Sequence, residues 1–210
     1  MRPITLGPYT PAVASTTAFN AQGFNSTGAA VAPTTTSTSD GLAHYVTLTS
    51  PVQATLAGIN FTITGTDPDG HDISETIAGP ASASTVTSTK FFKTVATIQP
   101  SATMGALTLA VGIAVTAISP TIALTNSPAS AGMTVAVTGT INYTVYETFA
   151  NVYVHNAASV STAITALTSK SANTSGSATV SATGVLLLVN SVTAGATFTI
   201  WLNQNSAGLA

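Results

Sequence analysis

Apolar and polar residues alternate at several places along this chain of 210 residues. At 59–64, Ile59, Phe61 and Ile63 are separated by Asn60 and two threonines. Because successive side chains of a β-strand point to opposite faces, this alternation predicts strands with one apolar face. Further alternating runs lie at 107–115, at 133–145 (with the phase kept across Gly139) and at 197–202.

A continuous apolar run, VLLLV at 185–189, predicts a strand that is buried on both faces. Threonine and valine dominate the other runs, and their branched Cβ atoms fit a pleated surface. Glycine, proline, asparagine and serine separate the runs at short intervals. The chain is therefore predicted to be all-β, with sandwich- or barrel-like modules. A short helix is an alternative at 159–169, where Val160, Ile164 and Leu167 have helical spacing.

Segments of small residues and proline mark the expected boundaries. The low-complexity stretch AAVAPTTTSTSD at 29–40 predicts an exposed loop or arm, and ASASTVTS at 81–88 predicts a loop. Pro120 interrupts strand pairing at ISP. The expected organisation is an extended N-terminal segment (1–40), a first β-module (41–117) and a second β-module (118–210).

No membrane segment is expected. The most apolar stretch, 105–118, is shorter than the roughly 20 residues that a spanning helix needs, and it alternates like a strand. The opening MRPITLGPYTP lacks the apolar core of a secretory signal peptide.

Charge is scarce, which removes several functional classes. Lys and Arg number 4, Asp and Glu number 6, and the formal net charge is −2. Polar character comes instead from 40 threonines and 22 serines. Four dispersed cations cannot neutralise a run of phosphates, so nucleic-acid binding is not expected. The absence of cysteine excludes disulfides, thiolate nucleophiles and cysteine zinc sites.

The densest charge cluster is DPDGHD at 67–72. Its carboxylates, Asp67, Asp69 and Asp72, are a candidate Ca²⁺ site because calcium prefers oxygen ligands, although the EF-hand spacing is absent. The favoured interpretation is a turn between strands, in which proline fixes φ, aspartate bonds its own backbone and glycine adopts positive φ.

Glu75 shares a predicted strand face with Ile73 and Ile77. A carboxylate on such a face needs a partner, for which Lys90 or Lys93 across a hairpin is a candidate, or it lies at a solvent-exposed edge. No second acid, base or nucleophile accompanies it in the sequence. Glu75 is therefore not expected to be catalytic.

Other catalytic and metal motifs are missing from the sequence. His44, His71 and His155 are far apart, without metal-ligand spacing. Neither G-x-S-x-G nor a glycine-rich phosphate loop occurs. We therefore expect no enzyme activity, no cofactor, and no metal ligand beyond the calcium candidates.

The few aromatic residues are expected to pack between strands. A carbohydrate- or protein-binding surface is the alternative for them. The residues concerned are Phe91, Phe92, Tyr143, Tyr146, Phe149, Tyr153 and Trp201.

Several stretches together resemble small structural proteins of tailed bacteriophages. They share the order of a strand ending T-G-T-D, an aspartate-glycine turn, S-E-T, and a K-x-F-K-T-V strand. The region 150–180 is richer in alanine and serine than that pattern. The stretches are MRPITL, INFTITGTDPDGHDISETIAGP (59–80), STKFFKTVATI (88–98), ISPTIAL (118–124) and MTVAVTGTINYTVYETF (133–149).

This resemblance implies a non-enzymatic virion protein that is assembled in the host cytoplasm. We expect a decoration or cement subunit on the head, homo-oligomeric and bridging copies of the major capsid protein, with the 29–40 arm reaching a neighbour. Uncharged surfaces suit such packing because no charge loses its hydration. The alternatives are a head–tail connector or tail protein, and a host- or carbohydrate-binding adhesin that uses the tyrosines and Trp201.

Overall fold

The structure, a computed structural model, is all-β, as predicted. The described residues form strands joined by turns and loops, with one short 3-10 turn and no α-helix. The residues described are 3–50, 55–124, 128–149, 161–179 and 181–206.

The strands are numbered in chain order, and most connections between them within the described ranges are short. They are β1 (Ile4–Tyr9), β2 (Ser15–Phe24), β3 (Ala43–Thr49), β4 (Asn60–Thr66), β5 (Asp72–Ala78), β6 (Thr85–Phe92), β7 (Thr94–Pro100), β8 (Leu109–Ile118), β9 (Ile122–Ala123), β10 (Pro128–Thr138), β11 (Ile141–Thr148), β12 (Ser161–Ala163), β13 (Thr174–Ala178), β14 (Gly184–Val192) and β15 (Thr197–Ser206).

The chain divides into two compact units. The first unit is Ala14–Ala117, and the second unit combines Met1–Val13 with Ile118–Ala210. Residues 3–40, expected to form a segment of their own, are thus shared between the units. Strand β1 joins the second unit by antiparallel pairing with β15.

The first unit contains two antiparallel sheets. In one, β2 pairs with β8, which is followed by β3 and β6; the other has the order β5-β4-β7. Phe61 and Ile63 on β4 are fully buried, whereas Thr62 and Thr64 are only partly buried, which confirms the alternation predicted there. The segment 29–40 is largely exposed but bonded along β7, through bridges of Val31 to Ile98 and Ser37 to Thr94.

The second unit also contains two groups of paired strands. One sheet has the order β1-β15-β10-β13, and in the other β12-β11-β14 is extended by β9. On β15, Phe198, Ile200 and Leu202 are buried, as the alternation predicted. Val185, Leu186 and Leu187 on β14 are buried on both faces, again as predicted.

The alternating run at 133–145 is not one strand. Gly139 lies between β10 and β11 with φ of +79°, in the left-handed region that favours glycine. Strand β10 pairs with β13 and β15, whereas β11 pairs with β12 and β14. The apolar residues of this one alternating run are therefore divided between two different sheets.

Two local predictions are wrong. The predicted loop at 81–88 is a loop only up to Ser84, because β6 begins at Thr85 and pairs with Thr49 of β3. Branched residues in 85–87 favour this ladder over a loop. The alternative of a helix at 159–169 also fails within the described residues. The amide of Ile164 donates to the carbonyl of Val145 on β11, as in a strand pairing. The helical part is therefore a single 3-10 turn at Thr165–Leu167.

Candidate functional site

The segment 67–72 folds as the predicted turn. Oδ1 of Asp67 accepts hydrogen bonds from the amides of Asp69 and His71, both at 2.9 Å. Oδ2 of the same carboxylate lies 3.2 Å from Nδ1 of His71. Gly70 has a φ of +92°, the conformation for which glycine was expected. Asp67 is fully buried, so its carboxylate organises the turn that joins β4 to β5.

The calcium candidates do not form a common site. Asp67 directs both oxygens to its own turn, and Asp72 is exposed at the start of β5 opposite Thr66. Within the described ranges, no group of three or more histidine, aspartate or glutamate side chains is placed to hold a metal ion. The arrangement is that of a turn whose carboxylate is satisfied by its own backbone.

Glu75 joins two strands that belong to different sheets of the first unit. Its Oε1 accepts hydrogen bonds from the amide and hydroxyl of Thr89, each at 2.8 Å, and Oε2 accepts from the amide of Lys90 at 2.9 Å. The Lys90 ammonium donates to the carbonyl of Ser74 at 2.7 Å. The partner of Glu75 is therefore the backbone of β6 and not the predicted ammonium of Lys90. That ammonium donates instead to the carbonyl of Ser74, the residue before Glu75.

A buried histidine–aspartate pair was not foreseen from the sequence. Nε2 of His44 lies 2.8 Å from Oδ2 of Asp40, and both side chains are almost fully buried. Nδ1 faces the carbonyl of Ala114 at 3.1 Å. Since a carbonyl can only accept, Nδ1 carries a proton and donates it. The spacing of four residues is the available signal, but the prediction of an exposed loop or arm at 29–40 places no buried partner there.

This pair has a structural role. The other oxygen of Asp40 accepts from the Thr38 hydroxyl at 2.7 Å and from the Leu42 amide at 3.1 Å. Both ring nitrogens of His44 face acceptors, so neither can activate a hydroxyl nucleophile as a general base. The pair fixes the end of the 29–40 segment to β3 and β8.

The buried Glu147 is likewise engaged. Its Oε2 accepts the amide of Thr179 at 2.7 Å. Across the described part of the chain, every buried side-chain nitrogen or oxygen has a hydrogen-bond partner.

The outward side of the β5-β4-β7 sheet is covered by hydroxyls, and we call it the threonine face. Its hydroxyls pair across the strands, with Thr62 to Thr76 and Thr66 to Thr94 at 2.8 Å. A shallow depression of about 450 Å³ lies beside Thr64, Asp72 and Ser74. The positions of the threonine face are Thr62, Thr64, Thr66, Asp72, Ser74, Thr76, Thr94, Thr97 and Gln99.

The outward side of the β1-β15-β10-β13 sheet surrounds an exposed indole, and we call it the Trp201 face. Trp201 is 42% exposed, while its neighbours Ile200 and Leu202 are buried. In the ladder, Trp201 lies between Thr5 and Thr134. The positions of the Trp201 face used below are Thr5, Gly132, Thr134, Ser175, Ser177, Trp201 and Asn203.

The other aromatic residues mostly pack within the units, as expected. Phe91 stacks on Tyr45 with ring centroids 3.9 Å apart, and Phe92 and Tyr143 are buried. Phe149 is exposed at the end of β11. His155 and Tyr153 lie outside the described residues. Among the described residues, Trp201 is therefore the exposed aromatic side chain that lies on a sheet face.

Comparison with known protein families, with curated proteins and with solved structures finds no match to this chain. Among the described residues, no helix is long and apolar enough to cross a membrane.

Proposed function

We propose that this chain is a non-enzymatic structural subunit of a tailed-bacteriophage virion, bound to the outside of the head as a decoration protein. The observation that carries the proposal is the chemistry of its two open sheet faces. Apart from the indole of Trp201, both present hydroxyl, amide and small side chains, and Asp72 is the one charged residue among the positions defined for them. Such faces can be buried against neighbouring subunits without removing ions from water.

The internal hydrogen bonding supports the same proposal. The buried side-chain nitrogens and oxygens of the described residues all have hydrogen-bond partners, and His44, Asp67 and Glu75 hold turns and strand edges. Hydrogen bonding of this kind is typical of units that present surfaces to other proteins. The phage assignment itself comes from the resemblance of the strand and turn stretches, and the expected partners are the major capsid protein and further copies of this chain.

The test is the copy number in purified virions. Particles of the phage that encodes the chain are digested and quantified by mass spectrometry against the major capsid protein. A copy number close to that of the capsid protein supports decoration. Six or twelve copies per particle would instead assign the chain to the connector or tail, and absence from particles would contradict any virion role.

A second candidate, a host- or carbohydrate-binding adhesin module, is favoured by the Trp201 face. The exposed indole of Trp201 offers an apolar ring for stacking and an N–H donor for a hydrogen bond. A glycan array probed with the purified chain tests this role, and an array without hits counts against it.

A further inference from the structure

We infer that the Trp201 face is a binding site for uncharged pyranose sugars. The inference rests on the binding role named above as the second candidate and does not require the virion role. Its starting point is the exposed indole of Trp201, which lies in a sheet whose other named positions carry small, hydroxyl or amide side chains.

The indole supplies the apolar part of the site. A pyranose ring has one face of C–H groups, which carry partial positive charge, and the face of an aromatic ring is negative. Stacking the sugar on the indole would therefore cover apolar surface and satisfy this polarity. Because Trp201 is central in the ladder, with β1 on one side and β10 on the other, a ring placed on it is flanked by polar side chains.

The flanking side chains match the hydrogen-bonding groups of a sugar. Thr5 and Thr134 lie directly across from Trp201, and Ser175 lies beyond Thr134, bonded to it at 2.9 Å. Asn203 is the next outward residue of β15. Hydroxyl and amide groups both donate and accept, as sugar hydroxyls do.

The site also has open space beside the indole. Gly132 lies in register with Asn203 on one side and Ser177 on the other. A Cβ atom built on Gly132 would meet no atom within 4 Å. Side chains on one face of a sheet recur about every 7 Å along a strand and about 5 Å across strands. The missing side chain therefore leaves open space between Asn203 and Ser177, diagonally across the ladder from Trp201, that a sugar substituent can occupy.

The charge of the site selects the ligand class. None of the seven named positions of the Trp201 face carries a charged side chain. An anionic sugar would lose hydration there without gaining a cation. The ligand that fits is therefore a neutral hexose polymer or oligosaccharide, and sialylated or uronic-acid glycans should bind more weakly.

The experiment uses the single tryptophan of the chain as its reporter. The full chain is titrated with neutral oligosaccharides of several linkages, and with matched acidic oligosaccharides, while indole emission is followed. We expect saturable emission changes with at least one neutral ligand and at least tenfold weaker binding of its acidic counterpart.

Variants then locate the site by calorimetry, which does not need the indole. Trp201→Ala should weaken binding at least tenfold, and Gly132→Val should do the same by filling the gap. The valine should be tolerated because its Cβ has free space in a strand. Val13→Ala removes another exposed apolar side chain of the second unit and should bind like wild type.

Three results would overturn the inference. Binding of acidic sugars alone would leave the binding role in place but contradict the ligand class. A lack of binding to all sugars by the folded chain would contradict both. An oligomer in gel filtration that Trp201→Ala dissociates, without sugar binding, would identify the face as a protein contact.

Discussion

Gly65 illustrates how a single residue sets the course of a strand. The tripeptide Thr-Gly-Thr occurs twice in the sequence, yet its two glycines serve different purposes. Gly139 provides positive φ at a turn, whereas Gly65 lies within β4, at an irregularity of its pairing with β7. A Cβ on Gly65 would lie 1.9 Å from the carbonyl oxygen of Thr94, so only glycine permits this close approach.

We expect Gly65→Ala to lower the free energy of unfolding by about 3 kcal/mol, since the clash is with backbone and can be relieved only by moving a strand. Urea unfolding measures the loss. Gly58→Ala is the matched control in the same unit, because its Cβ would meet nothing within 4 Å, and it should change stability by less than about 1 kcal/mol. Equal effects of the two variants would contradict this account.

Tyr143 predicts a pH dependence at the residue scale. Its side chain is buried in β11, and its hydroxyl donates to the carbonyl of Ala172 at 2.9 Å. Burial raises the pKa of the Tyr143 hydroxyl, an effect that a hydrogen bond with Thr174 partly opposes. The folded state therefore retains the proton at a pH where the unfolded chain, with a pKa of about 10, has lost it. The contribution of Tyr143 to stability is thus fully present below pH 10, the unfolded value, and is lost as the pH rises through the folded pKa.

We expect Tyr143→Phe to cost about 1 kcal/mol at pH 8, by loss of the hydrogen bond, and to show a smaller further loss than wild type at pH 11. Urea unfolding at both pH values gives the comparison. Burial also raises the pKa of Tyr9, so Tyr9→Phe should reduce a separate part of the alkaline loss. Parallel decreases in wild type and Tyr143→Phe would refute the assignment.

At the scale of elements, Glu75 protects strand edges. Its carboxylate occupies the amides of Thr89 and Lys90 on β6, while the Lys90 ammonium occupies a carbonyl of β5. Unpaired strand edges invite pairing with other chains, and charged side chains are a common means of preventing it. One of the six acidic residues of this chain therefore blocks the pairing of these two strand edges with other chains.

We expect Glu75→Gln to weaken this junction by about 1.5 kcal/mol, because an amide replaces a charged acceptor. Amide hydrogen exchange at Thr89 and Lys90 should then accelerate about tenfold. Asp72→Asn provides the control, since it neutralises an exposed carboxylate on the same strand and should leave both amides unchanged. Equal exchange rates in the two variants would show that Glu75 does not hold β6.

At the scale of the whole molecule, low charge determines how the chain can associate. With ten charged residues among 210, attraction between opposite charges has little part in any large contact. If the chain decorates a head, we expect its affinity for particles lacking it to change less than about threefold between 0.05 and 0.5 M NaCl. Sedimentation of particles with added chain measures this. A loss of binding of tenfold or more at high salt would indicate a charged contact instead.

The sequence alone determined the fold class, because alternation has a direct local cause: a strand places every second residue on the buried side. Phe61, Ile63, Phe198 and Ile200 therefore lie where the pattern put them. The 67–72 turn was also predictable, since proline, aspartate and glycine act on their own backbone. These features depend on neighbours in the chain.

Only the tertiary structure decided which distant residues meet. Alternation does not specify partners, so β10 and β11 could not be assigned to different sheets from one continuous phase. The pairing of Asp40 with His44 was hidden because it requires Ala114, 70 residues beyond the histidine, to complete it. The Trp201 face likewise brings together positions from 5 to 203, since strands from both ends of the chain lie side by side in one sheet.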